Sequence, residues 1–594
     1  MSDKILDDQQ LADCRAANTA AEKGDAWVNV VELDKVRAAV ESRVQEEADH
    51  MPQEDEGTGS GGPDDPRFVR ECLRNNERGD GVLYASMHRG KFLFNKIQAR
   101  WYRWAGHHWQ PDIMNTSVEG VEQVARRYAI AADPISEDIA ELSIKISEAK
   151  NEIERCEKNK DRDGEFKAKA DQDAHIKQKK KLEAQRSKLY RRADQLRGKS
   201  RAEKCQWWAH CIPGALAVKG DEFDRKPMLL PCPNGVIDLE TGDLLQGDPD
   251  DLLMRAIPIE YDPAAEAPDW IPFLMEIHEG DEDKVNFVRR LLGYCLTGLT
   301  VEQFLACFIG EGGNGKGTMF ELMHHILGQL AWSISPELIL EQKNPRPTAG
   351  PSPDIVSLYG RRLVVASETD KNRKIGAANV KRFTGEDTLT GRSPHDKDET
   401  NFKPTHKMIL YTNHAPRGLT EDFALMRRLL FIEYRLRYVD DVETWQRREP
   451  QNAHLFKQKD ADLPKRLREQ AQGILADLVR ACLEWQQLGG LHPPDNIIAA
   501  AEAHRQSEDH LARFVKEACQ ESPDPEHRVK IGEFHKAYMA WYGDEVSAKD
   551  RYQPSKIAVG KELVRMGYRK ESQSGQTWVY GVLLPADPGL VAYE

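Results

Sequence analysis

Residues 302–328 read EQFLACFIGEGGNGKGTMFELMHHILG. The opening apolar run suits a buried strand, and the apolar spacing after Thr318 suits a helix. Between them, GEGGNGKGT carries the G-x-x-x-x-G-K pattern of a phosphate-binding loop. Glycines let backbone N–H groups wrap phosphate oxygens, and the N-terminus of the following helix favours anionic charge. An α/β fold is therefore expected, with ATP held by Gly310, Glu311, Gly312, Gly313, Asn314, Gly315, Lys316, Gly317 and Thr318. Lys316 is expected to reach the β- and γ-phosphates. The position after it, where a Ser or Thr hydroxyl usually meets magnesium, is Gly317; either Thr318 substitutes, or water and an acidic residue hold the Mg2+.

Three further strand-like runs follow. RRLVVASETD predicts a strand over Leu363 to Ala366 that delivers Glu368, with Asp370 assisting, to polarise the attacking water and bind the metal through water. KMILYTN brings Asn413 to a strand end, where its amide can hold that water or sense the γ-phosphate. In ALMRRLLFIEY, Arg427 and Arg428 precede a fourth strand, and a guanidinium reaching transition-state charge from a neighbouring subunit implies an oligomer.

A chain of 594 residues exceeds the roughly 250 to 300 that one hydrophobic core organises, so several domains are expected. No run approaches the ~20 apolar residues of a membrane span, and MSDKILDDQQ is unlike a signal peptide, so a cytoplasmic protein is expected. Ten cysteines without a C-x-x-C pair argue against a zinc ribbon and a disulfide framework. The formal net charge of −14 is concentrated in residues 1–66, where 17 acids face 6 bases; the rest is nearly balanced and is compatible with a local basic channel.

The Gly-, Pro- and acid-rich QEDEGTGSGGPDDP ends a tail over 1–66 that composition marks as disordered. Residues 67–133 read as a small α+β module whose Trp101, Tyr102, Trp104 and Trp109 form a core or stack on bases. Over 134–204, Ile135, Ile139, Leu142, Ile146, Ala149, Ile153 and Cys156 make one helical seam, DRDG breaks it, and Leu182, Leu189 and Leu196 resume it. This predicts an antiparallel helical hairpin. Residues 158–204 hold 17 bases and 8 acids, either a nucleic-acid contact or a solvated face. The region 205–300 is expected to run from a strand pair turning at Thr241 and Gly242 into helix. The ATPase core then spans 301–444 and a helical connector 445–505. The segment 506–584 reads as three helices and a two-stranded wing, a winged helix whose third helix presents Ser555, Lys556, Lys561 and Arg565 to phosphates or base edges or serves protein contacts; a tail, 585–594, follows.

NGVIDLETG, GEGGNGKGT, RLVVASE, RFTGED with FKPTHKMILYTNHAP, and RRLLFIEY, in this order between Asn234 and Tyr434, resemble the superfamily 3 helicases, in particular the phage and plasmid primase-helicases related to the poxvirus primase-helicase. The resemblance implies an AAA+ core and a homo-oligomeric, hexameric ring moving 3′ to 5′ on single-stranded and forked DNA. In it Lys316 is the phosphate-binding lysine, Glu368 the acid of the second motif, Asn413 the sensor and Arg428 the finger, with Arg427 a second candidate. It also places a channel β-hairpin in GRSPHDKDETNFKP, so Arg392, His395 and Lys397 are expected on DNA, His395 being otherwise a surface histidine. Larger relatives carry paired metal-binding acids of a primase, an arrangement not seen here, so this chain is not expected to make primers itself; either a separate primase or polymerase is a partner, or replication starts at an origin recognised through the winged helix. The resemblance thus implies a helicase for replication of a phage, plasmid or integrated element in a bacterial or phage-infected cytoplasm. Competing readings are an ATP-gated initiator or platform that hardly translocates, as Gly317 suggests, and a signalling or defence ATPase with no DNA track.

Overall fold

The computed structural model describes residues 62–341, 351–367, 374–394, 399–416, 423–524, 526–545, 555–573 and 575–585. The chain divides into two compact units, one of Met1–Arg89, Ile113–Ala217 and Trp485–Gly490, the other of Gly90–Asp112, Val218–Glu484 and Leu491–Glu594.

The first unit is helical. Helices α1 (Pro66–Arg74) and α2 (Asn76–His88) are followed by α3 (Thr116–Ile130), α4 (Asp133–Asn159), α5 (Arg162–Leu196) and α6 (Lys199–Ala209). The hairpin predicted from the heptad seam is α4 and α5. Helix α4 ends where Lys160 turns left-handed (φ 55°), and Asp161 caps α5 by accepting the Gly164 N–H. Ile135, Ile139, Leu142, Ile153 and Cys156 of the seam are buried, as are Ala168, Leu189, Ala193 and Leu196 of α5. A buried carboxylate fastens this hairpin to the bundle: Asp80 of α2 accepts from Arg192 (2.7 Å), Arg201 (2.8 Å) and the Tyr128 hydroxyl (2.9 Å). Burial, with Asp80 alongside, pushes the Tyr128 hydroxyl far above the ordinary phenol range.

The second unit begins with strands β1 (Phe92–Asn95), β2 (Arg100–Trp104) and β3 (Trp109–Pro111), joined in one sheet with β4 (Ala217–Val218). The expected module over 67–133 is thus divided between the two units, because the strands join sequence-distant partners. Tyr102 and Trp109 are core residues, packed with Phe223, and the Trp109 indole donates to the Pro249 carbonyl at 2.8 Å. Strands β5 (Leu229–Cys232), β6 (Gly235–Asp238) and β7 (Leu244–Leu245) form an antiparallel sheet, its last turn made by Gly242 at φ 83°. The helix expected beyond it is a correction: from Gly247 to Asp269 the chain is irregular apart from a 3-10 turn, with Pro249, Pro258, Pro263 and Pro268 spaced through it. Helices α7 (Trp270–Ile277) and α8 (Glu282–Tyr294) follow.

The core is a five-stranded, all-parallel sheet in the order β14-β8-β13-β10-β9, made of β8 (Leu305–Ile309), β9 (Ala331–Ile334), β10 (Leu363–Ser367), β13 (Lys407–Thr412) and β14 (Leu429–Glu433). Its central strands are buried on both faces, as parallel sheets covered by helices require. Helix α9 (Lys316–Leu327) leaves the end of β8; α10 (Pro353–Val356) and α11 (Ala377–Thr384) precede the antiparallel pair β11 (Leu389–Gly391) and β12 (Thr400–Phe402); and α12 (Phe423–Met426) leads into β14. Beyond β14 come β15 (Arg437–Val439), α13 (Val442–Arg448), β16 (Phe456–Gln458), α14 (Leu463–Glu469), α15 (Ala471–Leu488) and α16 (Asp495–Glu508). The expected helical connector therefore includes a strand, and its α16 belongs to the core: Ala501 is buried in the sheet's cluster, and His504 meets Glu433 of β14 at 2.9 Å.

The C-terminal segment comprises α17 (His510–Ala518), β17 (Gln520–Glu521), β18 (Arg528–Lys530), α18 (Ile531–Glu545), α19 (Lys556–Arg565), β19 (Lys570–Gln573), β20 (Gln576–Tyr580) and β21 (Val582–Leu583) around one apolar cluster that includes Phe514, Phe534, Leu563 and Val579. Among the described residues no helix is long and apolar enough to cross a membrane.

Removing the buried anion strands two guanidinium groups, so Asp80→Ala is expected to destabilise the helical unit by about 3 kcal/mol. A lower urea midpoint by far-ultraviolet circular dichroism checks this, and an unchanged midpoint contradicts the fastening role of Asp80.

Candidate nucleotide-binding site

In a parallel sheet the strand ends and the following helix N-termini meet on one side, and ligands bind there. Residues 310–315 occupy that position between β8 and α9. The loop is anchored at its start: the Gly310 N–H donates to the Thr412 carbonyl at the end of β13 (3.1 Å), and the Tyr434 N–H to the Ile309 carbonyl (2.8 Å). A side chain at Gly310 has no room, since its Cβ would lie 2.3 Å from the Tyr434 carbonyl. Gly315 combines φ 85° with a Cβ position 2.6 Å from Ile277 of α7, so backbone and neighbour both demand glycine.

The wall behind Gly315 is itself braced. Asp477 of α15 accepts from the Trp270 indole (3.0 Å) and from Nε of Arg289 (3.0 Å), joining α7 and α8 to one carboxylate. Glu311, on the exposed side of the loop, pairs with Arg437 at 3.3 Å.

Lys316 is the first residue of α9 and is buried, with its ammonium donating to the Gly310 carbonyl and lying 5.7 Å from the Tyr434 ring centroid. Burial lowers its pKa from 10.5 to about 8. A cleft of about 380 Å³ opens over the loop, lined by Gly312 through Thr318, Glu321, Tyr411, Thr412 and Asn413. Nearly the whole predicted loop, together with Asn413, thus shares one cavity. A triphosphate fits this arrangement in kind, because the glycine cradle, the helix start and a buried cation converge on it. Thr318 lines the cavity and offers a hydroxyl for a hydrated magnesium ion, whereas Gly317 is exposed with nothing within 4 Å of where a Cβ would stand.

The two arginines differ. Arg427 is exposed; Arg428 is half-buried and donates to the Thr384 hydroxyl of α11 at 2.9 Å, its pKa lowered by burial and by Arg427 beside it. Glu368, Asp370, His395 and Lys397 lie outside the described residues. The strands β11 and β12 flank the segment that carries His395 and Lys397, and Arg392, half-buried just after β11, accepts the Ser352 N–H at its carbonyl (2.9 Å) and donates its own N–H to the Ser352 hydroxyl (3.2 Å). Of the groove candidates on α19, Lys556 and Lys561 are exposed, Arg565 pairs with Glu562 (2.8 Å), and the Ser555 hydroxyl caps the helix by accepting the Ala558 N–H (3.2 Å). Sequence reasoning missed Glu321 and Tyr411. Both belong to elements it recognised, and the i+5 position of Glu321 after Lys316 carries no motif signal.

Residues 82–279 match the family described as D5 N terminal like, and residues 308–428 match a family of unknown function, DUF5906. The chain is 25% identical over 335 residues to "Putative helicase L207/L206" of Acanthamoeba polyphaga mimivirus, covering 55% of this chain and 34% of that one. It is 26% identical over 233 residues to "Primase D5" of fowlpox virus, covering 37% of this chain and 29% of that one. These matches make the chain similar, over part of its length, to the D5 N terminal like family and to viral proteins named as helicases and primases. It spans about a third of the length of the curated relatives it matches. Among solved structures, the apo structure of NrS-1 C terminal region (305–718) aligns at 14% identity and a TM-score of 0.35, over 56% of this chain and 80% of that one, below the level from which a shared fold can be argued.

Bound phosphates would raise the pKa of Lys316, so binding above its free value takes up a proton. Nucleotide affinity is therefore expected to be flat below pH 8 and to fall above it, as checked by fluorescent-nucleotide titration; Lys316→Ala should remove this dependence along with most of the affinity. The open space at Gly317 predicts that Gly317→Ser folds normally and tightens the magnesium requirement of hydrolysis, read as a lower half-saturating magnesium concentration.

Proposed function

We propose that this chain is the motor of an ATP-dependent DNA helicase of the superfamily 3, AAA+ type, working 3′ to 5′ as a homo-oligomeric, hexameric ring in replication of a mobile element. The carrying observation is the loop 310–318 at the ends of an all-parallel sheet ordered β14-β8-β13-β10-β9, with the buried Lys316 and the exposed Asn413 lining one cleft. The helicase and primase names of its viral relatives support the choice among ATPases.

In this reading Lys316 leaves the Gly310 carbonyl for the β- and γ-phosphates, and the α9 N-terminus adds its partial positive charge. Magnesium, when bound, would neutralise phosphate charge, with Thr318 and, through water, Glu368 as its holders. Glu368, assisted by Asp370, accepts the proton of the attacking water, and Asn413 orients that water. Arg427 and Arg428 act in trans on a neighbouring copy; the exposure of Arg427 favours it as the reaching side chain, with Arg428 holding the turn through Thr384. The hairpin based in β11 and β12 brings His395, Lys397 and Arg392 to single-stranded DNA. The three helices and hairpin of the C-terminal segment act as a winged helix, with Lys556, Lys561 and Arg565 on α19 facing duplex. A separate primase or polymerase supplies primers.

The test is magnesium-dependent hydrolysis with and without single-stranded DNA, together with strand displacement from 3′- and 5′-tailed duplexes. Stimulated hydrolysis and displacement of the 3′-tailed substrate are expected, and His395→Ala with Lys397→Ala should keep basal hydrolysis while abolishing displacement. DNA binding without displacement by the unaltered chain would leave an initiator or platform, and the absence of both binding and stimulation would leave a signalling ATPase.

A further inference from the structure

Helix α5 carries charge that its packing does not use. At 100° per residue, Lys177, Lys180, Lys181, Lys188 and Arg191 fall within an arc of about 100°, opposite the side that buries Ala168, Leu189 and Ala193. All five are exposed. Neighbouring charges are spent on partners: Lys179 lies 3.9 Å from Glu183, Arg192 binds Asp80, and Lys169 meets Glu165. Among the described residues no salt bridge engages the five. The exposed acid on the same side is Asp173, one turn before Lys177.

From Lys177 to Arg191 the stripe runs roughly 21 Å at ~1.5 Å per residue. Duplex DNA presents about one phosphate charge per 1.7 Å of axis, so it offers some twelve anions over that length to five cations. Single-strand binders interleave aromatic platforms with their basic groups. This face has none between Lys177 and Arg191, since Tyr190 points about 100° away from Arg191 around the helix.

We propose that the exposed face of α5 is a sequence-independent binding surface for the phosphate backbone of duplex DNA, an accessory holding arm made of residues other than those of the nucleotide cleft and of the pair β11 and β12. The choice of DNA among polyanions rests on the helicase reading. The stripe adds an affinity for duplex that this reading alone does not require.

The test is fluorescence anisotropy of the full chain with a blunt duplex of two unrelated sequences between 50 and 200 mM salt. A variant carrying Lys177→Gln, Lys180→Gln, Lys181→Gln and Lys188→Gln is expected to bind both sequences at least ~10-fold more weakly and to lower the slope of log affinity against log salt by about 3 to 4. Arginine at the same four positions should restore the slope. Neutralising Lys150, Lys158 and Lys160, which lie off the stripe, should leave it nearly intact. Hydrolysis stimulated by single-stranded DNA should be unchanged in the glutamine variant, so loss of that stimulation in the unaltered chain would count against the motor alone. The proposal is overturned if the unaltered chain does not bind duplex, if the glutamine variant keeps the salt slope, or if the off-stripe control loses as much.

Discussion

The close approach of backbone at Gly310 and Gly315 is the constraint on which the site depends. One glycine sits 2.3 Å, by its missing Cβ, from the carbonyl of Tyr434; the other sits 2.6 Å from Ile277 in a left-handed conformation. These contacts seat the loop between the end of β14 and helix α7, and the Gly310 N–H ties it to β13. A loop held on three sides keeps its shape before any ligand arrives, which lowers the ordering cost of binding. The remote brace matters for the same reason: Asp477 holds Trp270 and Arg289, and so fixes the helix that presses on Gly315.

Lys316 shows how burial prepares a group for its ligand. Among the described residues its ammonium rests on one neutral acceptor, the Gly310 carbonyl, and burial lowers its pKa to about 8. A buried cation lacking a counter-charge is electrostatically unsatisfied, and phosphate relieves that condition.

Much of the core was legible. LACFI, LVVAS, KMILYT and LLFIE read as strands because central parallel strands are buried on both faces and leave uninterrupted apolar runs. The edge strand AWSI escaped because Trp332 and Ser333 are exposed, which breaks the pattern. The stretch 247–269 was read as helical despite its prolines. The heptad seam of α4 and α5 was readable because the hairpin is local, whereas the anchoring of α5 by Asp80 was not, since that carboxylate stands 112 positions before Arg192. The cleft was half legible: the motif marked its floor, while Glu321 and Tyr411 enter through the geometry of α9 and β13.

The division into units has a further consequence for how such a chain is made. The backbone passes from one unit to the other after Arg89, Asp112, Ala217, Glu484 and Gly490. Neither unit is a contiguous stretch, so no single cut yields one of them whole. A ribosome delivering the chain in order completes the helical unit only after residue 490 has emerged, some 270 residues after the bulk of that unit. Assembly is thus weighted towards contacts between distant segments, the kind that form late and slowly.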